Sequence, residues 1–186
     1  MGGTTDLLFR RLMKNMNDLK NGIIDINGFL LSPTTTVEEM ENHFGVKATD
    51  SGLRKHIDFD GKPFVSDGIE FKGDISFKDK VTAIKLFPQL PSLITKYNIK
   101  GCWEYPTSGD PDVDLLYFRE VRNSMDSWLE KQLGAPTQKD EKTTTYVFPL
   151  VSISTCAYFQ KEPHGFSVLG GKVKIEFEYL PSTLLD

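Results

Sequence analysis

The 186-residue chain carries 22 Lys and Arg against 26 Asp and Glu, a formal charge of −4. That balance argues against non-specific nucleic-acid binding, which depends on neutralising phosphates with Lys and Arg. A hydrophobic fraction of 39% and a charged fraction of 26% are those of a globular protein, with no apolar run long enough for a membrane-spanning helix.

Asp6 to Lys20 has Leu8, Leu12, Met16 and Leu19 on one stripe at helical spacing, and Asn21-Gly22 reads as the stop. Ile23 to Ile26 is expected as a short strand, Asn27-Gly28 as a turn, and Phe29 to Leu31 as the next strand. Ser32 to Thr36 is a polar loop into a helix over Val37 to Gly45. Thr35 with Glu38, or Thr36 with Glu39, spells a capping box.

From Arg54 to Phe87 the period changes to two. His56 to Phe59 precedes a predicted turn at Asp60-Gly61, and Ile69, Phe71, Ile75 and Phe77 alternate with Glu70, Lys72, Asp74 and Ser76. Gly73 is expected to interrupt this run as a bulge or turn. Lys78-Asp79-Lys80 leads into Val81 to Phe87. The pattern is an antiparallel meander with one wet face.

Pro88 to Asp114 is irregular, with a short helix expected over Leu93 to Tyr97. Leu115, Phe118, Val121, Arg122, Met125, Trp128, Leu129 and Leu133 then mark a long helix ended by Gly134-Ala135-Pro136. Three strand candidates follow: Thr143 to Phe148, Val151 to Phe159 and Lys172 to Tyr179.

An internal echo links the two helices. At an offset of 89 residues Met40 meets Leu129, Glu41 meets Glu130, Phe44 meets Leu133 and Gly45 meets Gly134, while Ala83 to Phe87 falls on Lys172 to Glu176. The expected fold is α+β: two similar helix-plus-antiparallel-meander halves with an extra N-terminal helix. Residues 1–31 hold the N-terminal helix and short strands, 32–97 the first half and 98–186 the second.

Catalytic and metal motifs are missing. His43, His56 and His164 are isolated from one another, so no zinc ligand set forms by spacing. There is no P-loop, dinucleotide fingerprint, HExxH or GxSxG. Cys102 and Cys156 are expected as reduced core thiols, and the chain as a cytoplasmic protein without cofactor. Asp110, Asp112 and Asp114 suggest a calcium loop, but Leu115 and Val121 stand where that loop needs glycine and glutamate. They read as an acidic turn capping the next helix, or as an acidic patch beside Trp103, Glu104 and Tyr105. Aromatic anchors among acids suit a protein interface. Glu70, Asp74, Glu176 and Glu178, on the polar sides of strands, are expected to line a second surface.

The helix followed by Leu133-Gly134-Ala135-Pro136 and a strand Tyr, Tyr146, resembles the repeat unit of the β-lactamase inhibitor protein family and of the outer-membrane assembly lipoproteins. The resemblance covers residues 32–180; the first copy, Gly45-Val46-Lys47, lacks the proline. It implies a joined sheet whose concave face grips an enzyme. In kind, the short acidic chain also resembles bacterial toxin-immunity proteins. The function expected is therefore non-catalytic: covering a basic toxin domain or enzyme, with acids steering the encounter. Two alternatives stay open, a small-molecule or lipid-binding protein and an enzyme with an unrecognised site. A pocket of several hundred Å3 with convergent polar groups would favour either of them.

Overall fold

The computed structural model describes residues 18–59, 64–66, 69–101, 105–159 and 171–180. It shows a mixed α+β protein. The predicted N-terminal helix lies mostly outside the described residues; its end, Leu19–Asn21, is a single 3-10 turn. Next comes the hairpin of β1 (Ile24–Ile26) and β2 (Phe29–Leu31).

Helix α1 (Val37–Phe44) starts where its sequence starts it. Of the two possible capping boxes the Thr36–Glu39 pair forms: the Glu39 amide donates to Thr36 Oγ1 and the Thr36 amide to the Glu39 carboxylate. Gly45 closes the helix at φ 65°, a left-handed conformation in which a side chain is strained.

A nine-stranded antiparallel sheet follows. Its strands are β3 (Thr49–Asp50), β4 (Lys55–Asp58), β5 (Phe64–Ser66), β6 (Ile69–Phe77), β7 (Val81–Gln89), β8 (Gln138–Lys139), β9 (Thr143–Val147), β10 (Val151–Phe159) and β11 (Gly171–Tyr179). They lie in the order β3-β4-β6-β7-β11-β10-β9-β8, with β5 running on beside β6 where β4 ends. Between the two meanders sit α2 (Pro91–Lys96) and α3 (Pro111–Leu133).

The two halves repeat one order of elements: helix, two-residue strand, then a run of longer antiparallel strands, four in the first half and three in the second. Gly45 and Gly134, β3 and β8, and β4 and β9 fall on the 89-residue offset. The match lapses at the third long element, where the first half adds β5. The last strands, β7 and β11, join the meanders, and Leu86 pairs with Ile175, its own counterpart at that offset. The join between the two meanders therefore lies at the centre of the sheet.

Among the described residues the three helices and the β1–β2 hairpin pack on one side of the sheet. Trp128 of α3 lies 5.3 Å from Phe71, Met40 of α1 sits by Ile57 and Ile75, and Ile24, Ile26 and Leu31 join the same cluster. One contiguous core thus runs through both halves. Gly73 does not interrupt β6. A Cβ there would stand 1.8 Å from the Lys85 carbonyl oxygen, so glycine is needed because β7 passes against it. Among the described residues no helix is long and apolar enough to cross a membrane.

Candidate functional site

Strand pleating sorts side chains between the core side and the opposite, helix-free side. On β6, Phe71, Ile75 and Phe77 face the core, so Glu70, Lys72, Asp74 and Ser76 face away. The register carries this parity across the sheet. Asp74 stands opposite Lys85, Lys85 opposite Glu176, Glu176 opposite Ser154 and Ser154 opposite Thr145. The next row runs His56, Ser76, Ala83, Glu178, Ser152, Val147. Glu70, Asp74, Glu176 and Glu178 therefore share one face, from strands far apart in sequence.

The four acids do not stand alone on that face. Lys72, Lys85, Lys172 and Lys174 stand among the acids. Lys85 lies in register between Asp74 and Glu176, and Lys174 pairs with Glu176. Lys172 lies 5.0 Å from the Tyr105 ring and 6.0 Å from that of Phe87, and Lys174 5.8 Å from that of Tyr158. Long lysine stems over rings help explain why Phe87 is buried on this side. Charges of opposite sign at this spacing cancel beyond about 10 Å. The face is a mosaic with exposed apolar points: Val65 (66%), Val147 (52%), Tyr158 (51%) and, at its end, Tyr105 (50%).

At the edge, His56 bridges two hydroxyls. Its Nδ1 lies 3.1 Å from Ser76 Oγ and 4.0 Å from Asp74, and its Nε2 3.2 Å from Ser51 Oγ. The set has the residue types of a Ser-His-Asp triad. Ser51, however, already donates its proton to the Arg54 carbonyl at 2.8 Å, so in a neutral ring Nε2–H donates toward Ser51. The arrangement pins β3 to β4 and β6 rather than activating a nucleophile.

The Asp110–Asp114 segment divides into three roles. Asp110 caps α3, accepting from the Asp112 and Val113 amides. Asp112 is exposed. Asp114 is only 2% exposed; it accepts from the Thr107 hydroxyl at 2.7 Å and the Ser108 amide at 2.6 Å. It holds the preceding loop onto the helix and presents no charge to a partner, so the predicted acidic triplet is not one patch. Tyr105 approaches Lys172, 3.5 Å from its hydroxyl. Trp103, Glu104, Cys102 and His164 lie outside the described residues. Cys156 is a buried free thiol. Among the described residues no three His, Cys, Asp or Glu side chains converge as a metal site.

A second feature was not expected from the sequence. Arg122 and Asp126, 9% and 5% exposed, form a charged bolt between α3 and the β8–β9 turn. Arg122 donates to the Glu141 carbonyl and, at 2.7 Å, to that of Asp140; its Nε lies 3.7 Å from Asp126. Asp126 Oδ2 also meets Lys139 at 3.1 Å and the Thr144 hydroxyl at 3.0 Å, while its buried Oδ1 has no hydrogen-bond partner. The signal was present: Arg122 falls on the apolar stripe, with a carboxylate one turn later. Beside the bolt β9 begins only at Thr143, so the end of β10 runs on without it. This leaves a cleft of about 580 Å3 between α3, the 140–142 turn and β10. A second depression, about 820 Å3, lies at the other end of the strands, with Arg54, Lys78 and Lys80 around Glu176 and Glu178.

No protein-family model matches the chain, and no curated protein or solved structure is found to be similar to it.

Proposed function

We propose that this is a non-catalytic binding protein that covers a protein partner with the helix-free face of its sheet. One observation carries the reading: among the described residues this face bears no helix, and it combines paired charges with exposed Val65, Val147, Tyr158 and Tyr105. Interfaces favour aromatic anchors among polar groups whose charges find partners. Eight strands side by side span about 34 Å, and a depth of about 20 Å gives a face of roughly 700 Å2. Stable complexes bury about 800 Å2 per partner.

The fullest form of the reading is inhibition by occlusion: an immunity-type protein seated over a bacterial toxin or enzyme. The repeated order of helix and meander, with the last strands joined, supports the resemblance to inhibitor repeats. The charge mosaic changes the mechanism expected. Partner choice rests on matched charges and anchors, with little long-range steering.

A photo-crosslinking amino acid at position 158 tests this in the native host, with position 116 on the exposed side of α3 as control. One discrete partner is expected from position 158 alone, lost when Lys85→Glu is added. The purified protein should then block that partner's activity. Equal capture from both positions would overturn the docking face, and a partner left fully active would overturn the inhibitor.

A further inference from the structure

The cleft beside Arg122 lies off the docking face, and its charge runs against that of the chain. In a protein of net charge −4, it gathers Arg119, Arg122, Lys139 and Lys142 against Asp126, Asp140 and Glu141. Much of this charge is already committed. Arg122 is held by two carbonyls and Asp126, and Lys139 shares the same carboxylate. Asp140 turns back on its own chain; the Lys142 and Thr143 amides donate to it and hold its carboxyl below the usual carboxylate range.

Arg119, Lys142 and the carboxylate of Glu141 remain. The two cations are exposed, and among the described residues neither side chain meets a hydrogen-bond or ion-pair partner. The two cations outnumber that one carboxylate, and a bound anion balances the excess. The wall beside them is apolar, made by Leu115 and Phe118 of α3 and by Ala157 of β10, with Tyr158 at the rim. At about 580 Å3 the space is that of a small-molecule site.

We propose that this cleft binds a small organic anion. A carboxylate or phosphate monoester group sits between Arg119 and Lys142, and a flat or aliphatic body lies against Leu115, Phe118 and Ala157. Arg122 and Asp126 do not bind the ligand; they fix the turn that carries Lys142 against the helix that carries Arg119.

Phenyl phosphate is the probe, with inorganic phosphate and phenol as its two halves. Amide chemical shifts of the full chain are followed by NMR during titration. Phenyl phosphate is expected to move amides of residues 115–123 and 139–142, with each half binding at least about tenfold more weakly. Arg119→Gln with Lys142→Gln should weaken it at least about tenfold at unchanged melting temperature. Lys20→Gln with Lys131→Gln should not. The site is overturned by no saturable shift at about 10 mM, by shifts scattered over the surface, or by full affinity in the Arg119 and Lys142 variant. Equal affinity for inorganic phosphate would overturn the apolar half of the site.

Discussion

Replacing Gly73 by alanine tests the central hairpin, on which both the joined sheet and the docking face depend. The added Cβ would stand 1.8 Å from the Lys85 carbonyl oxygen, 2.9 Å from its carbon and 3.2 Å from Leu86 Cα. All three atoms are main chain, so no rotamer change relieves the clash. Restoring a carbon–oxygen separation of about 3.3 Å moves β6 and β7 apart by roughly 1.5 Å. The flanking ladder bonds then exceed hydrogen-bonding distance, and two of them contribute about 2 kcal/mol. Ile75 and Ile84, paired in register nearby and fully buried, lose packing worth about 1–3 kcal/mol more. The total, about 3–5 kcal/mol, is a large part of the roughly 5–15 kcal/mol that holds a domain folded. At about 2–4 °C per kcal/mol for a chain of this length, melting should fall by about 6–20 °C. Gly45→Ala is the control: nothing lies within 4 Å of its Cβ, and only the left-handed φ is strained. That costs about 1 kcal/mol. Urea unfolding followed by circular dichroism compares the two. A Gly73→Ala midpoint no lower than that of Gly45→Ala would refute the steric argument.

Asp114→Ala should cost about 2–4 kcal/mol of stability, because Thr107 and Ser108 lose their buried acceptor. Asp112→Ala should cost under about 0.5 kcal/mol; equal melting temperatures in the two variants would contradict the split of the acidic segment. Asp110→Ala should cost about 1 kcal/mol through the lost α3 cap and Asp110→Asn much less, read by thermal melts. Burial pushes the Tyr117 hydroxyl up to about 12. Its folded value is raised above the unfolded one, so its contribution is complete below about pH 10 and is lost as pH rises toward 12. Urea midpoints should fall across that window, less steeply in Tyr117→Phe; an identical fall in both proteins would refute the assignment. Tyr179→Phe removes the 2.8 Å bond to the Gly22 carbonyl and should cost about 1–2 kcal/mol in the same assay.

Legibility followed element length. The helix over 37–44, the long helix and the strands after Thr143 were readable because many residues report one period. The strands β3, β5 and β8, two or three residues each, carry no period and exist only through their neighbours. Gly73 was misread because its cause lies on β7, twelve residues away, rather than in its own strand. Asp114 looked like Asp110 and Asp112, yet helical geometry turns it inward under Thr107 and Ser108 while Asp112 meets solvent.

By itself the sequence determined the α+β class, most element positions and the 89-residue echo. These rest on local propensity, capping and periodicity, which act within a few residues. Only the tertiary structure decided the rest: that β7 and β11 join the halves, that Glu70, Asp74, Glu176 and Glu178 share a face with four lysines, and that Arg119 and Lys142 line one cleft. The physical reason is strand register and helix packing. Long-range pairing sets which residues become neighbours, and a one-residue slip would send every side chain of a strand to the opposite face.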